Sequence, residues 1–129
     1  MSVFSPLIYE LIGIAMSVHN ELGNQHPEYV YHGAMNVSLS KGNWEFDDEP
    51  VLDIVFRGEV IAQYRPDGLV KKGAEIVILE YKARRELKES HANQLIRYLN
   101  SYHPSVGEVV KGLLLNFGSE RLTWKVLGE

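Results

Sequence analysis

The segment Ala74-Glu75-Ile76-Val77-Ile78-Leu79-Glu80-Tyr81-Lys82 constrains this chain more than any other. Its centre, Ile76 to Leu79, is continuously apolar. A half-exposed strand alternates apolar and polar residues. A strand that is apolar on both faces belongs in the middle of a covered sheet. The chain therefore needs neighbouring strands on both edges and a layer on each face.

The rest of the chain provides those parts. Ser5-Pro6 is a helix start, with Ser as N-cap and Pro at the first helical position. Leu7, Ile8, Leu11, Ile12, Ala15, Val18 and Leu22 follow at helical spacing, and Gly23 is the stop. His19 lies on that apolar stripe. A second helix is expected from Pro27 to about Ser40, with Glu28 and Tyr31 on one face. Glu45 to Asp53 carries five acids and no base, which reads as a solvated loop or edge strand. Val51 to Phe56 and Val60 to Val70 read as paired strands around an Arg57-Gly58-Glu59 turn. A third helix is expected over Leu87 to Tyr102, with Leu95, Leu99 and Tyr102 facing the core. Val109 to Asn116 reads as another buried strand and Leu122 to Leu127 as a final amphipathic one. The expected order is α-α-β-β-β-α-β-β: an α/β or α+β pattern, with a central mixed sheet flanked by helices. No linker, repeat or low-complexity segment divides the chain, so residues 1–129 read as a single domain.

Charge limits the partners. The formal net charge is −4, which argues against a surface that grips nucleic acid everywhere. The balance is uneven. Residues 1–64 hold two bases against nine acids, and residues 65–129 hold eleven bases against eight acids. With no cysteine, disulfides, thiolate metal sites and cysteine nucleophiles are excluded. That fits a cytoplasmic protein. There is no apolar run long enough to span a membrane, and no signal peptide is read.

The chemistry concentrates around the buried strand. Pro66-Asp67 precedes Glu80-Tyr81-Lys82, and a hairpin can bring Asp67 beside Glu80. Strand alternation puts Glu80 and Lys82 on one face and Tyr81 on the other. Two adjacent carboxylates repel unless a cation lies between them. Oxygen ligation suits Mg²⁺ or Mn²⁺. Paired carboxylates, metal and lysine together suit metal-assisted phosphodiester hydrolysis. Read alone, Glu-x-Lys is equally an internal ion pair at a strand end. Gln94 and Tyr98 share a helical face that can lean over this end of the sheet. Alone, they read as a solvent-facing residue and a core residue. Lys82, Arg84, Arg85 and Lys88, with one acid among them, form the local basic feature that phosphate contacts need, or else a solvated helix start. None of His19, His26, His32, His91 and His103 forms a zinc-binding pair, and nucleophile-elbow and phosphate-loop motifs are absent.

These residues resemble the GxxExxY proteins, a bacterial group within the PD-(D/E)xK nuclease superfamily, over about Leu7 to Val126. Ile12-Gly13-Ile14-Ala15 through Val18-His19-Asn20-Glu21-Leu22-Gly23 resembles the family's opening helix, and Glu28-Tyr29-Val30-Tyr31 its Glu-x-x-Tyr. Tyr64-Arg65-Pro66-Asp67 is similar to its Tyr-Arg-x-Asp, and Ile78-Leu79-Glu80-Tyr81-Lys82-Ala83 to its catalytic strand. Gln94 to Leu99 is similar to its Gln-Leu-x-x-Tyr-Leu helix, and Leu113 to Gly118 to its late strand. Two positions depart: Gln25 replaces the glycine that names the family, and Tyr81 replaces an aliphatic residue. The first could shift Glu28.

The resemblance implies a restriction-endonuclease-like core and a role for each matching residue. Asp67 and Glu80 would hold Mg²⁺ or Mn²⁺, with the Tyr81 carbonyl as a third ligand. Lys82 would be the catalytic lysine. Glu28 would complete the metal site through water. His19, Gln94 and Tyr98 resemble the added motifs of RecB-like nucleases, where such a histidine can ligate metal and the Gln and Tyr line the site. His19 is equally read as a satisfied core histidine. The expected function is DNA hydrolysis, with Arg84, Arg85 and Lys88 on the nucleic acid and single- or double-stranded substrate undecided. Double-strand cutting would want a homodimer. The alternative is a non-catalytic nucleic-acid- or partner-binding module that keeps the nuclease fold.

Overall fold

A computed structural model describes residues 5–128. Helix α1 spans Pro6–Leu22. The Ser5 hydroxyl accepts the Ile8 N–H at 3.1 Å, which satisfies one of the free donors of the first turn. Helix α2 spans Glu28–Leu39. Its entry is held by Tyr31, whose hydroxyl donates to the Gly23 carbonyl at 2.6 Å and accepts the His26 N–H at 3.2 Å. Gln25 is exposed in this segment. The helix still starts at Glu28, because the Tyr31 anchor rather than residue 25 fixes the path.

Seven strands follow: β1 Glu45–Asp48, β2 Leu52–Phe56, β3 Glu59–Tyr64, β4 Gly68–Lys72, β5 Glu75–Lys82, β6 Val109–Asn116 and β7 Thr123–Leu127, with helix α3, Glu89–Ser101, between β5 and β6. A five-stranded sheet has the order β1-β4-β5-β6-β7, and β2 and β3 form a separate two-stranded ribbon. Strands β5 and β6 run parallel and are joined through α3. The other pairings are antiparallel. The fold is thus a mixed sheet between helices, with α1 and α2 on one face and α3 on the other.

The buried strand behaves as its pattern demands. Val77, Leu79 and Tyr81 face α1 and α2, in a core with Leu11, Ala15, Met35, Leu113 and Phe117. Ile76 and Ile78 face α3, in a core with Leu69, Leu95, Tyr98 and Leu114.

Two expectations change. Val60 to Val70 is not one strand. Pro66 has no N–H for a ladder, and the chain breaks over 65–67, so β3 pairs with β2 while β4 pairs with β5. Of its two readings, loop or edge strand, the acidic stretch takes the second, adding a strand to the expected order: β1 pairs with β4 at the sheet edge. The order is therefore α-α-β-β-β-β-β-α-β-β. The turn after β2 places Arg57 and Gly58 at φ 49° and 82°, the left-handed pair that suits a tight hairpin and that glycine adopts freely.

Candidate active site

The β4–β5 hairpin brings Asp67 to Glu80. Gly68 pairs with Leu79, and the Asp67 N–H donates to the Leu79 carbonyl at 3.1 Å. Asp67 thus stands one residue before β4, level with Glu80. Its Oδ2 accepts the Tyr81 N–H at 2.6 Å. Alternation turns the Tyr81 carbonyl to the same side as its N–H, past the last β4 pairing. The carbonyl proposed as a ligand therefore points towards Asp67.

Glu80 is only 4% exposed. Its Oε2 lies 3.3 Å from Lys82 Nζ, and its Oε1 is buried and meets no donor. Burial, and then the charge of Asp67, push Glu80 up to about 8, although Lys82 works the other way. Asp67 is also raised, chiefly by burial, against the lowering effect of the Tyr81 N–H and of His32. Two carboxyls that resist ionisation side by side, one with an orphaned oxygen, are suited to a cation. Among the described residues no three His, Asp or Glu side chains converge into a ready-made cage. Two carboxylates, a carbonyl and water remain a fitting donor set for Mg²⁺ or Mn²⁺, which keep several waters.

The Gln94–Tyr98 pair is formed as well. Gln94 Nε2 donates to the Tyr98 hydroxyl at 2.9 Å. Burial, followed by the charge of Glu80, pushes the phenol up to about 12. Glu28 is exposed at the start of α2, and its charge reaches both Asp67 and His91. His19 is 8% exposed and is engaged elsewhere, its Nε2 3.0 Å from the Ser119 carbonyl oxygen. No described contact joins it to Asp67 or Glu80.

Arg84, Arg85 and Lys88 line an open cleft with Glu86, Ser90 and His91. The cleft is braced from behind by Asn116, which is fully buried. Asn116 Oδ1 accepts the Arg84 N–H and Asn116 Nδ2 donates to the Arg84 carbonyl, both at 2.9 Å. His91 Nδ1 accepts the Lys88 N–H at 3.1 Å. Burial and then the charges of Lys82, Arg84 and Lys88 hold His91 below its ordinary value.

The family model of the PD-(D/E)XK nuclease superfamily matches residues 5–126. The chain belongs to that superfamily. The crystal structure of SSO0001 is similar to it, with a TM-score of 0.54 and 22% identity over 78% of this chain, which speaks for the fold. The chain spans about half the length of that structure, 50%. No match was found among the curated proteins. Asp67, Glu80 and Lys82, which the sequence pattern singles out, lie together at one strand end and the turn beside it.

Reasoning from sequence did not reach three of the residues around Asp67 and the basic cleft. His32 Nε2 is 2.8 Å from Asp48 Oδ1, and its Nδ1 is 3.6 Å from Asp67 Oδ1. The His32 ring also meets the Tyr81 ring edge-on at 5.3 Å between centroids. A signal existed for His32, which lies four residues after Glu28 and so on the same helical face. Asp48 was hidden inside the acidic run. Asn116 carried no signal at all.

Proposed function

We propose that this protein is a metal-dependent nuclease that hydrolyses DNA phosphodiester bonds, a GxxExxY-type, RecB-like member of its superfamily. The observation that carries the reading is buried Glu80, with an orphaned oxygen, set between half-buried Asp67 and Lys82. Asp67, Glu80 and the Tyr81 carbonyl would hold Mg²⁺ or Mn²⁺, with Glu28 acting through water. Such an ion, when bound, polarises a phosphodiester and lowers the pKa of attached water.

The chain's own groups supply the rest. Lys82, held by Glu80, orients the attacking water and offsets charge growing on the phosphorus oxygens. Gln94 fixes the Tyr98 hydroxyl at the rim of the site. Arg84, Arg85 and Lys88 neutralise neighbouring backbone phosphates. Cutting both strands would take two copies, since one site cuts one strand. The open sheet edge at β7 is the surface on which a second copy would pair.

The test is cleavage of single- and double-stranded DNA with Mg²⁺ or Mn²⁺. Wild-type protein should cut, a chelator should stop it, and Asp67→Asn and Lys82→Ala should each lower the rate by at least 100-fold, roughly the scale of a lost charge-stabilising group. Equal rates for the wild type and both variants would sink the reading. Folded protein that binds DNA without cutting it would favour the non-catalytic module.

A further inference from the structure

Away from the carboxylates, helix α3 presents one side chain with half of its hydrogen bonding unmatched. His91 stands at the third position of α3. Its N–H donates to the Lys88 carbonyl at 3.0 Å, and its ring Nδ1 accepts the Lys88 N–H at 3.1 Å. An N–H only donates, so Nδ1 offers its lone pair and the ring proton sits on Nε2. The Lys88 N–H therefore fixes the tautomer and the direction of the ring. It also keeps the ring neutral, since a proton on Nδ1 would break the bond.

Helix capping accounts for Nδ1 and leaves Nε2–H without a partner. Glu86 lines the same cleft and the charge of Glu28 reaches the ring, yet among the described residues neither pairs with it. The ring is half-buried and lines the open cleft together with Arg84, Arg85 and Lys88. It also precedes Gln94 by three residues and Tyr98 by seven, which puts all three on one face of α3. His91 is thus the side chain at which the basic cleft and the Gln94–Tyr98 face meet. A fixed N–H among cations calls for an acceptor that those cations attract, and a phosphate oxygen is one.

Resting on the nuclease reading, we propose that His91 Nε2–H donates to a non-bridging oxygen of a DNA phosphate held in this cleft, and so fixes where the strand lies relative to Lys82. The three cations supply attraction, which weakens with salt and lets a strand slide. The imidazole supplies one directed bond from a neutral group, which sets register and releases no counterion.

Two amide substitutions divide the tasks of the ring. His91→Asn keeps an acceptor where Nδ1 stood and removes the donor at Nε2. His91→Gln places its amide near Nε2 and gives up the cap. Affinity for fluorescein-labelled DNA, single-stranded and duplex in separate titrations, is read by anisotropy in Ca²⁺, beside the melting temperature. His91→Asn should melt as the wild type does and bind DNA about 10-fold more weakly, the scale of one hydrogen bond to a charged group. Its log–log salt slope should equal that of the wild type. His91→Gln should melt lower and keep most of the affinity. If His91→Gln fails to fold, wild-type protein with ¹⁵N-labelled histidine decides the matter by nuclear magnetic resonance. One neutral ring, missing from the His91→Asn spectrum, should carry its proton on Nε2, and that N–H signal should move when DNA is added.

Affinity that falls only where the melting temperature falls makes His91 a cap alone and overturns the proposal. A salt slope that drops by about one in His91→Asn also overturns it, because a charged imidazolium was then lost. So does an Nε2–H signal that DNA leaves in place. All three leave the nuclease reading intact where wild-type protein cuts DNA with Mg²⁺ or Mn²⁺. The expected binding pattern without any cleavage keeps the His91 contact and overturns the nuclease reading. Absence of any DNA binding overturns both.

Discussion

Glu80 shows how one side chain can be placed against its own preference. A carboxyl held at about 8 keeps its proton at neutral pH when no cation is present. An unfolded glutamate ionises near pH 4.5, so between about 4.5 and 8 the native state binds more protons than the unfolded state. Stability of the metal-free protein should therefore fall as pH rises through that window. Glu80→Gln should flatten the fall and raise the melting temperature in chelator by a few degrees near pH 8. Thermal unfolding from pH 5 to 8 checks this, and a wild-type profile parallel to that of the variant would contradict it. Asn116 is the opposite case, a fully buried side chain with its bonds made. Asn116→Leu should cost roughly 1–3 kcal/mol by stranding the Arg84 N–H and carbonyl, measured by urea unfolding.

At the scale of elements, the site depends on how α3 and the segment before it are seated. Leu95 is fully buried and lies over Gly112, where a Cβ would come within 2.8 Å of the leucine side chain. Glycine on β6 thus makes room for the leucine of α3. Leu95→Ala should lose roughly 2–5 kcal/mol and should also lower cleavage, because Gln94 and Tyr98 ride on the same helix. Gly118 has a different task. A Cβ there would collide with the backbone of Ala83 and Arg84. Gly118→Ala should push the basic segment away from Lys82, and DNA affinity should drop more than thermal stability does. Fluorescence anisotropy beside calorimetry separates the two effects.

For the whole molecule, charge decides how substrate is met. A net charge of −4 gives no general attraction to DNA. On the proposed reading, binding rests on the cleft of Arg84, Arg85 and Lys88 and on metal at the carboxylates. With about three phosphates neutralised, the log–log salt slope on duplex DNA should be near −3, and Arg84→Ala with Arg85→Ala and Lys88→Ala should flatten it towards zero. Titration in Ca²⁺ at several salt concentrations measures it. A slope that is unchanged in the triple variant would place the phosphate contacts elsewhere. Among the described residues no helix is long and apolar enough to cross a membrane.

Much of this was legible in one dimension, because it depends on local periodicity and local chemistry. The ends of α1 follow from Ser5, Pro6 and Gly23, and the central position of β5 from four aliphatic residues in a row. The facing of Glu80 and Lys82 follows from strand alternation. What depended on pairing at a distance was not legible. The split of Val60 to Val70 between two sheets was decided by which partner each half found. The acidic run read as solvated loop or edge strand, and only its pairing with β4 selects the strand and turns Asp48 towards His32. His19 and His32 look alike as helical histidines in the chain. Packing sets one against a loop carbonyl and the other against Asp67, because α1 and α2 cross the same sheet at different places. The sequence by itself singled out Asp67, Glu80 and Lys82 as the proposed catalytic cluster. Only the tertiary structure decided which histidine stands beside them.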